Sequence, residues 1–201
     1  MNKQRGVSLI SLLIGLLISS IVLVGMMMVF RNTIQTVVPA SESSRSDGER
    51  VSALLSAHML LQDAGFGISS AEYDTHLRIL NNNTLLPLAT DNGSTATGNT
   101  VVWLSKRAGN TQCNGLRADS NGGLWQVSCS VTMSDITNTT RLILPSRYVG
   151  DDVVPIKIVA TRISCWPFGV EIEGDIKVTL VIQNSTKHVV NSSTCLVNFY
   201  E

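Results

Sequence analysis

The feature that most constrains the fold of this chain is an apolar run without a single charged residue, residues 7–30. As a helix rising about 1.5 Å per residue, the run is about 36 Å long, enough to cross a hydrocarbon core of about 30 Å. It is also longer than the apolar region of an ordinary secretory signal, which has about 7–15 residues. We therefore predict a membrane helix that the mature protein keeps.

Basic residues are distributed unequally around the run. Lys3 and Arg5 precede it, only Arg31 follows closely, and the next basic residues are Arg45 and Arg50. Because basic residues favour the cytoplasmic side of a membrane, the amino terminus is expected to stay cytoplasmic. The rest of the chain is then translocated into the periplasm.

Small residues recur along one side of the predicted helix. Ser11, Gly15 and Ser19 are four residues apart, and Ser8 lies three before the first, so all four share a face. Small residues let helix backbones approach closely in lipid. We interpret this face as a packing surface for other helices; the alternative is a single anchor in which these residues are incidental.

The segment 5–14 reads Arg-Gly-Val-Ser-Leu-Ile-Ser-Leu-Leu-Ile. It resembles the class III signal of type IV prepilins and pseudopilins, which a prepilin peptidase cuts after the glycine. The resemblance implies cleavage after Gly6 and N-methylation of Val7, where family members most often have phenylalanine. It also implies a long, bent amino-terminal helix, half in the membrane and half packed under a sheet.

Ser11 departs from the family pattern, which has glutamate at this position to meet the amine of a neighbouring subunit during assembly. A carboxylate in mid-helix costs about 2.5–3.5 kcal/mol on insertion scales. We hypothesise that this subunit occupies a place where no neighbour's amine needs neutralising, as at a filament tip, or enters through partner pilins that keep their glutamate. The alternative is a tolerated substitution.

The length of the remainder of the chain suits one globular domain of modest size, which we call the head. About 130 of the 201 residues remain beyond the helix, which suits a single core. The formal net charge is zero and 15% of residues are charged, so nothing indicates a nucleic-acid-binding surface. Four cysteines in a translocated domain favour disulfides, and none has the spacing of a zinc or redox site.

Four cysteines allow three pairings. We favour Cys113 with Cys129 and Cys165 with Cys195, because each pair joins segments that are near in sequence. Closing a loop of about 15 residues constrains the unfolded chain by about 3 kcal/mol in the entropy model.

The helix is expected to continue beyond the membrane. Residues 31–64 keep a helical rhythm, and Pro39 should kink or interrupt it, with a loose stretch at 41–48. Gly65 should end it, because glycine supplies the left-handed cap. The predicted apolar stripe comprises Val51, Leu54, Leu55, His58, Met59, Leu61 and Gln62. We interpret His58 as a buried, hydrogen-bonded core residue rather than a catalytic one or a metal ligand.

The end of this helix carries a second resemblance. Residues 48–51, then Leu54 and Leu55, then 61–66 with the turn Ala64-Gly65-Phe66 are similar to PilW-like minor pilins and to the J-type pseudopilins of type II secretion. Together with the signal, the resemblance covers about the first third of the chain.

The remainder is predicted to form an antiparallel sheet packed on the helix, which makes the chain an α+β protein. Segments rich in valine, isoleucine and threonine alternate with turn residues. The predicted strands are 76–80, 100–105, 124–131, 141–144, 156–164, 175–182 and 194–199. Surface loops are expected at 81–83, 90–99 and 134–140.

No catalytic motif accompanies the three histidines, His58, His76 and His188, so we expect no enzyme and no cofactor. Two remaining clusters have alternative readings. The acidic residues Asp151, Asp152, Glu171 and Glu173 suit solvated turns better than a calcium site. The aromatic residues Trp103, Trp125, Trp166 and Phe168 suit core or sheet packing better than a sugar platform.

The sequence thus predicts a leader at 1–6, a membrane and filament-core helix at 7–30, its amphipathic continuation at 31–67 and a β-rich head with disulfides at 68–201. The resemblance implies a minor pilin that primes or caps a type IV pilus. Its partners would be the prepilin peptidase, other minor pilins, the major pilin, the inner-membrane assembly platform and a tip adhesin. The alternatives are a type II secretion pseudopilin of the filament tip and a membrane-anchored periplasmic binding protein with no filament role.

Overall fold

The computed structural model describes residues 9–145, 155–167, 173–183 and 189–200. The chain forms two compact units, Met1–Ser46 and Asp47–Glu201. The described part of the first unit is helix throughout, and the second contains the end of that helix and all the strands.

Helix α1 comprises Leu9–Leu61. The interruption expected at Pro39 and the loose stretch expected at 41–48 were wrong, because both are helical. A proline removes one backbone donor from a helix. Because the residues on both sides of Pro39 are helical, the loss of this one donor does not end α1.

In the described residues, ten strands follow the helix, which confirms the α+β class predicted from the sequence. They form two antiparallel sheets where one was expected. The strands are β1 (Leu77–Asn81), β2 (Thr84–Leu86), β3 (Thr95–Gly98), β4 (Thr100–Arg107), β5 (Asn110–Ala118), β6 (Leu124–Cys129), β7 (Thr137–Ile143), β8 (Lys157–Cys165), β9 (Gly174–Gln183) and β10 (Val189–Leu196). The larger sheet has the order β2-β1-β4-β5-β6-β7, and the smaller has β10-β9-β8-β3.

Each of the seven predicted strands overlaps an observed one, but β2, β3 and β5 were missed. The predicted loop 90–99 contains β3, and the predicted loop 134–140 contains the first part of β7. These segments are polar, and their pairing with β8 and β6 makes them strands. Strand β5 likewise exists as the hairpin partner of β4. Polar strands of this kind have no apolar alternation that a sequence could display.

One core joins the end of α1 to both sheets. The helix contributes Leu54 and Leu61 together with Ala53 and Ala57, and the turn after it adds Ala64, all buried. The larger sheet adds residues such as Leu77, Ile79, Val101, Trp103 and Leu116, and the smaller adds Ile158, Ile176, Val178, Leu180 and Leu196. The alanines allow the helix backbone to lie close to the sheets, because they have no side chain beyond Cβ.

A second, smaller cluster covers the opposite face of the larger sheet. It contains Val102, Leu104, Val127 and Met133, with Trp125 packed against it. Met133 belongs to the loop after β6, which folds back over this face. The larger sheet is therefore apolar on both sides over part of its area.

Candidate functional site

The amino-terminal part of α1 presents an uncovered apolar surface. Residues Leu9–Val38 form a span long and apolar enough to cross a membrane, and none of its most apolar window is buried by the rest of the chain. Contiguous apolar surface of this size is typical of membrane or protein contact. The helix thus suggests membrane anchoring.

The small residues predicted to form a packing face are accessible where the structure describes them. Ser11, Gly15 and Ser19 are exposed on α1, and a Cβ added at Gly15 would meet no atom within 4 Å. The first turn of α1 contains no acidic residue, so Ser11 has no carboxylate beside it there. Ser8, and the cleavage and methylation positions Gly6 and Val7, lie outside the described residues and stay predictions.

The turn at the end of α1 attaches the helix to strand β4. Gly65 has φ of +73°, and its N–H donates to the carbonyl of Leu104 over 2.9 Å. The N–H of Lys106 donates to the carbonyl of Phe66 over 2.7 Å. The glycine predicted to end the helix therefore lies four residues beyond the last helical residue and fixes the chain's direction into the head.

Next to this turn, one carboxylate connects the helix end to β4. Asp63 accepts a hydrogen bond from the hydroxyl of Ser105 at 2.8 Å and forms an ion pair with Arg107 at 2.8 Å. Ser105 is fully buried, whereas the Arg107 side chain is 62% exposed. Losing the contact with Asp63 should therefore cost more free energy at the buried Ser105 hydroxyl than at the exposed Arg107 guanidinium, which water can solvate.

His58 connects the same helix to the smaller sheet. Its Nδ1 lies 2.7 Å from the hydroxyl oxygen of Thr194, a fully buried residue of β10. His58 itself is half-buried. The hydrogen-bonded packing role predicted for this histidine agrees with these contacts, although its side chain is less buried than expected.

The predicted apolar stripe divides into a buried and an exposed half. Leu54 and Leu61 face the core, whereas Val51, Leu55 and Met59 are 62%, 60% and 59% exposed. The buried half is completed by alanines, which the sequence analysis did not include. The prediction that these residues form one stripe was wrong, because the buried face consists of Leu54 and Leu61 with Ala53 and Ala57, and Val51, Leu55 and Met59 lie outside it.

Beside the exposed stripe, a groove lies between the helix and the edge strand β7. Its volume is about 480 Å³, and the helix lines it with Gly48, Glu49, Ser52, Ala53 and Ser56. Arg141, Leu142 and Leu144 line the other side. The head thus presents small helical residues and an open sheet edge next to each other.

Both disulfides join the pairs favoured from the sequence. Cys113 and Cys129 face each other directly on β5 and β6, with Cα atoms 5.0 Å apart. Cys165 and Cys195 link β8 to β10, with Cα atoms 5.7 Å apart. The second bond passes Gly174 of β9, where a Cβ would lie 3.1 Å from Sγ of Cys195.

One phenol in the head has a shifted pKa. Burial raises the pKa of Tyr73 from 10.0 to about 12, because the phenolate would lose its hydration. The Tyr73 hydroxyl donates to the carbonyl of Leu86 over 2.7 Å and accepts from the N–H of Ile79 at 3.3 Å. The phenol therefore joins the loop before β1 to the β1–β2 hairpin.

The described residues among those considered for catalysis, metal binding or sugar binding do not form one group. Within the described ranges, no three histidine, cysteine or acidic side chains are grouped as metal ligands. His76 accepts the N–H of Glu72 locally at 3.1 Å, and Glu173 accepts a hydrogen bond from Ser164. Positions His188, Asp151, Asp152, Glu171 and Phe168 lie outside the described residues.

The three tryptophans have different environments. Trp103 is 1% exposed in the main core, Trp125 is half-buried on the outer face of the larger sheet, and Trp166 is 58% exposed. Core or sheet packing, predicted for all of them, therefore holds for Trp103 and in part for Trp125. Trp166 is not a core residue.

A family model described as the prokaryotic N-terminal methylation motif matches residues 1–27. No curated protein and no solved structure shows significant similarity to the chain. The match covers the residues before α1 and the beginning of that helix, and the head is outside it.

Proposed function

We propose that this chain is a type IV pilin-like protein and, more narrowly, a minor pilin of a type IV pilus. The observation that carries the proposal is the methylation motif at the start of an apolar helix that the chain itself leaves uncovered. Such a helix is suited to lie in the inner membrane first and among other pilin helices afterwards. Neither role needs catalysis, so we propose no enzymatic activity.

The exposed small residues support packing among helices. Ser11, Gly15 and Ser19 permit close backbone approach in an environment where no hydrophobic effect separates helix from lipid. In the head, the exposed Val51 and Leu55 directly precede the groove residues Ser52 and Ser56 in sequence and offer a further contact. The proposed partners are other minor pilins, the major pilin, the assembly platform and a tip adhesin.

Ser11 supports a place at the filament tip or in a priming complex. The first described turn of α1 has no acidic side chain that could replace the missing glutamate. A subunit without that carboxylate suits a position where no neighbouring amine needs a counter-charge. The Ser11→Glu variant should then enter pili less well than the parent protein; unchanged incorporation would remove the support for a tip position.

The test of the proposal is the mass of the amino-terminal peptide from cells with and without an active prepilin peptidase. We expect a terminus at Val7, methylated, that disappears when the peptidase is inactive. An intact Met1, or a terminus near residue 41, would instead indicate a periplasmic binding protein that is membrane-anchored or secreted and has no filament role.

A pseudopilin of type II secretion is the second candidate, because pseudopilins have the same type of amino-terminal signal. Deleting the gene distinguishes the two. Loss of surface pili with normal secretion supports the minor pilin, and loss of secretion with normal pili supports the pseudopilin.

A further inference from the structure

We propose that the outer face of the larger sheet carries a binding site for an acidic polysaccharide, centred on Arg117, Trp125 and Arg141. This site goes beyond the proposed assembly function. The inference begins from strand register: Arg117 of β5 lies directly opposite Trp125 of β6, and Trp125 lies opposite Arg141 of β7. Side chains directly opposite each other in antiparallel strands project to the same face. The three therefore form one row across three strands.

The row lies on the accessible side of the sheet. Trp125 packs with its inner side on the second apolar cluster and is only half-buried, and Arg141 is exposed. The Arg141 guanidinium carbon lies 5.8 Å from the centre of the Trp125 ring. Neighbouring strands are about 4.8 Å apart, so the backbones of the two arginines are about 9.6 Å from each other. An extended chain can contact all three side chains at once.

Polar contacts fix the Trp125 indole, but they do not neutralise the charges of Arg117 and Arg141. The Trp125 Nε1 donates to Asp119 over 3.1 Å, and the other carboxylate oxygen of Asp119 accepts two backbone N–H groups. Arg117 donates to the side-chain oxygen of Asn83 at 3.2 Å. In the part of the chain that the structure describes, neither Arg117 nor Arg141 has a carboxylate partner. Both guanidinium groups can therefore pair with an external anion.

The chemistry of the row favours a carboxylated sugar chain as its occupant. Guanidinium groups bind carboxylates in a bidentate manner. The Trp125 indole lies between the apolar cluster and the Arg141 guanidinium and holds that guanidinium in place for such an anion. The exposed turn beside Arg117 adds amide groups from Asn82 and Asn83, which hydrogen-bond hydroxyls. A single-stranded nucleic acid would need a longer cationic groove. Here two arginines stand beside Asp119, in a chain with zero net charge.

The test uses the full-length protein in detergent micelles and measures its binding to immobilised polygalacturonate by biolayer interferometry. The matched neutral probe is the same polymer with its carboxylates methyl-esterified, and poly(dT) is the nucleic-acid probe. We expect binding to polygalacturonate that weakens with salt, weaker binding to the ester and weaker binding to poly(dT). Equal binding of the ester, tighter binding of poly(dT), or no binding to any probe would each overturn the proposal.

Variants locate the site. Arg117→Gln and Arg141→Gln should each weaken binding about tenfold, since hydrogen bonds to charged groups are worth that much. Trp125→Phe should weaken it about fivefold. The controls are Lys157→Gln and Trp166→Phe, which remove a positive charge and an exposed indole elsewhere in the head. If these controls lose as much affinity as the site variants, the binding is non-specific and the proposal is wrong. Circular dichroism verifies that each variant is folded.

Discussion

Replacing Gly67 by alanine is expected to destabilise the head by about 2 kcal/mol, because two separate costs coincide at this position. Gly67 has φ of +73°, and a left-handed conformation costs a residue with a Cβ about 1–2 kcal/mol. A Cβ built there would also lie 2.2 Å from the carbonyl oxygen of Lys106. That atom belongs to the backbone of β4, so it cannot turn aside as a flexible side chain would.

Relieving the overlap requires the turn and β4 to separate. The hydrogen bond from Lys106 N–H to the carbonyl of Phe66, 2.7 Å long, joins the same two segments and would be stretched or lost. Phe66 and Lys106 are both exposed, so the loss of this hydrogen bond costs about 0.5–1.5 kcal/mol. Added to the conformational cost of about 1–2 kcal/mol, this gives about 1.5–3.5 kcal/mol. The substitution also stabilises the protein by about 0.4–1 kcal/mol, because alanine lowers the conformational entropy of the unfolded chain.

The assay is urea unfolding of the full-length protein in mild detergent, followed by tryptophan fluorescence with the disulfides intact. Gly93→Ala is the matched control, because Gly93 also has a positive φ, +87°, but open space around the built Cβ. It should cost about 1 kcal/mol or less, since only the conformational term applies. Equal destabilisation by the two variants would refute the argument that the contact with β4 dominates.

Two further predictions concern the head. Because the folded-state pKa of Tyr73 is raised, the folded protein holds its proton longer than the unfolded chain, so stability should fall between pH 10 and about 12. Tyr73→Phe should reduce this dependence in urea titrations at several pH values, and an unchanged slope would contradict it. Asp63→Ala should cost about 2 kcal/mol, since it leaves the buried Ser105 hydroxyl unpaired. Arg107→Gln should cost less than about 1 kcal/mol, because that side chain is largely exposed; the reverse order in thermal unfolding would be inconsistent with this account.

The sequence predicted the elements that have strong local signals. The helix from the apolar run into the head was expected from its composition and rhythm, and Gly65 was correctly placed in the turn that follows it. Strands rich in β-branched residues, such as β4 and β9, were also found. The cysteine pairs followed from their nearness along the chain. Each of these features depends mainly on residues close in sequence.

Other features depend on residues that are distant in sequence. The pairing of Asp63 with Ser105 and Arg107 and the contact of His58 with Thr194 join segments more than forty positions apart. The row of Arg117, Trp125 and Arg141 is a matter of strand register, including a register shift between β6 and β7. A shift of one residue would move each side chain to the other face, and no local pattern fixes this.

The amino-terminal helix and its apolar, uncharged surface were determined by the sequence alone, because hydrogen bonds within a helix and transfer to lipid depend on local composition. Which side of the head helix is buried was decided only by the tertiary structure. The alanines face the core together with Leu54 and Leu61, whereas Val51 and Leu55 lie on the surface, because only one side of the helix meets the two sheets.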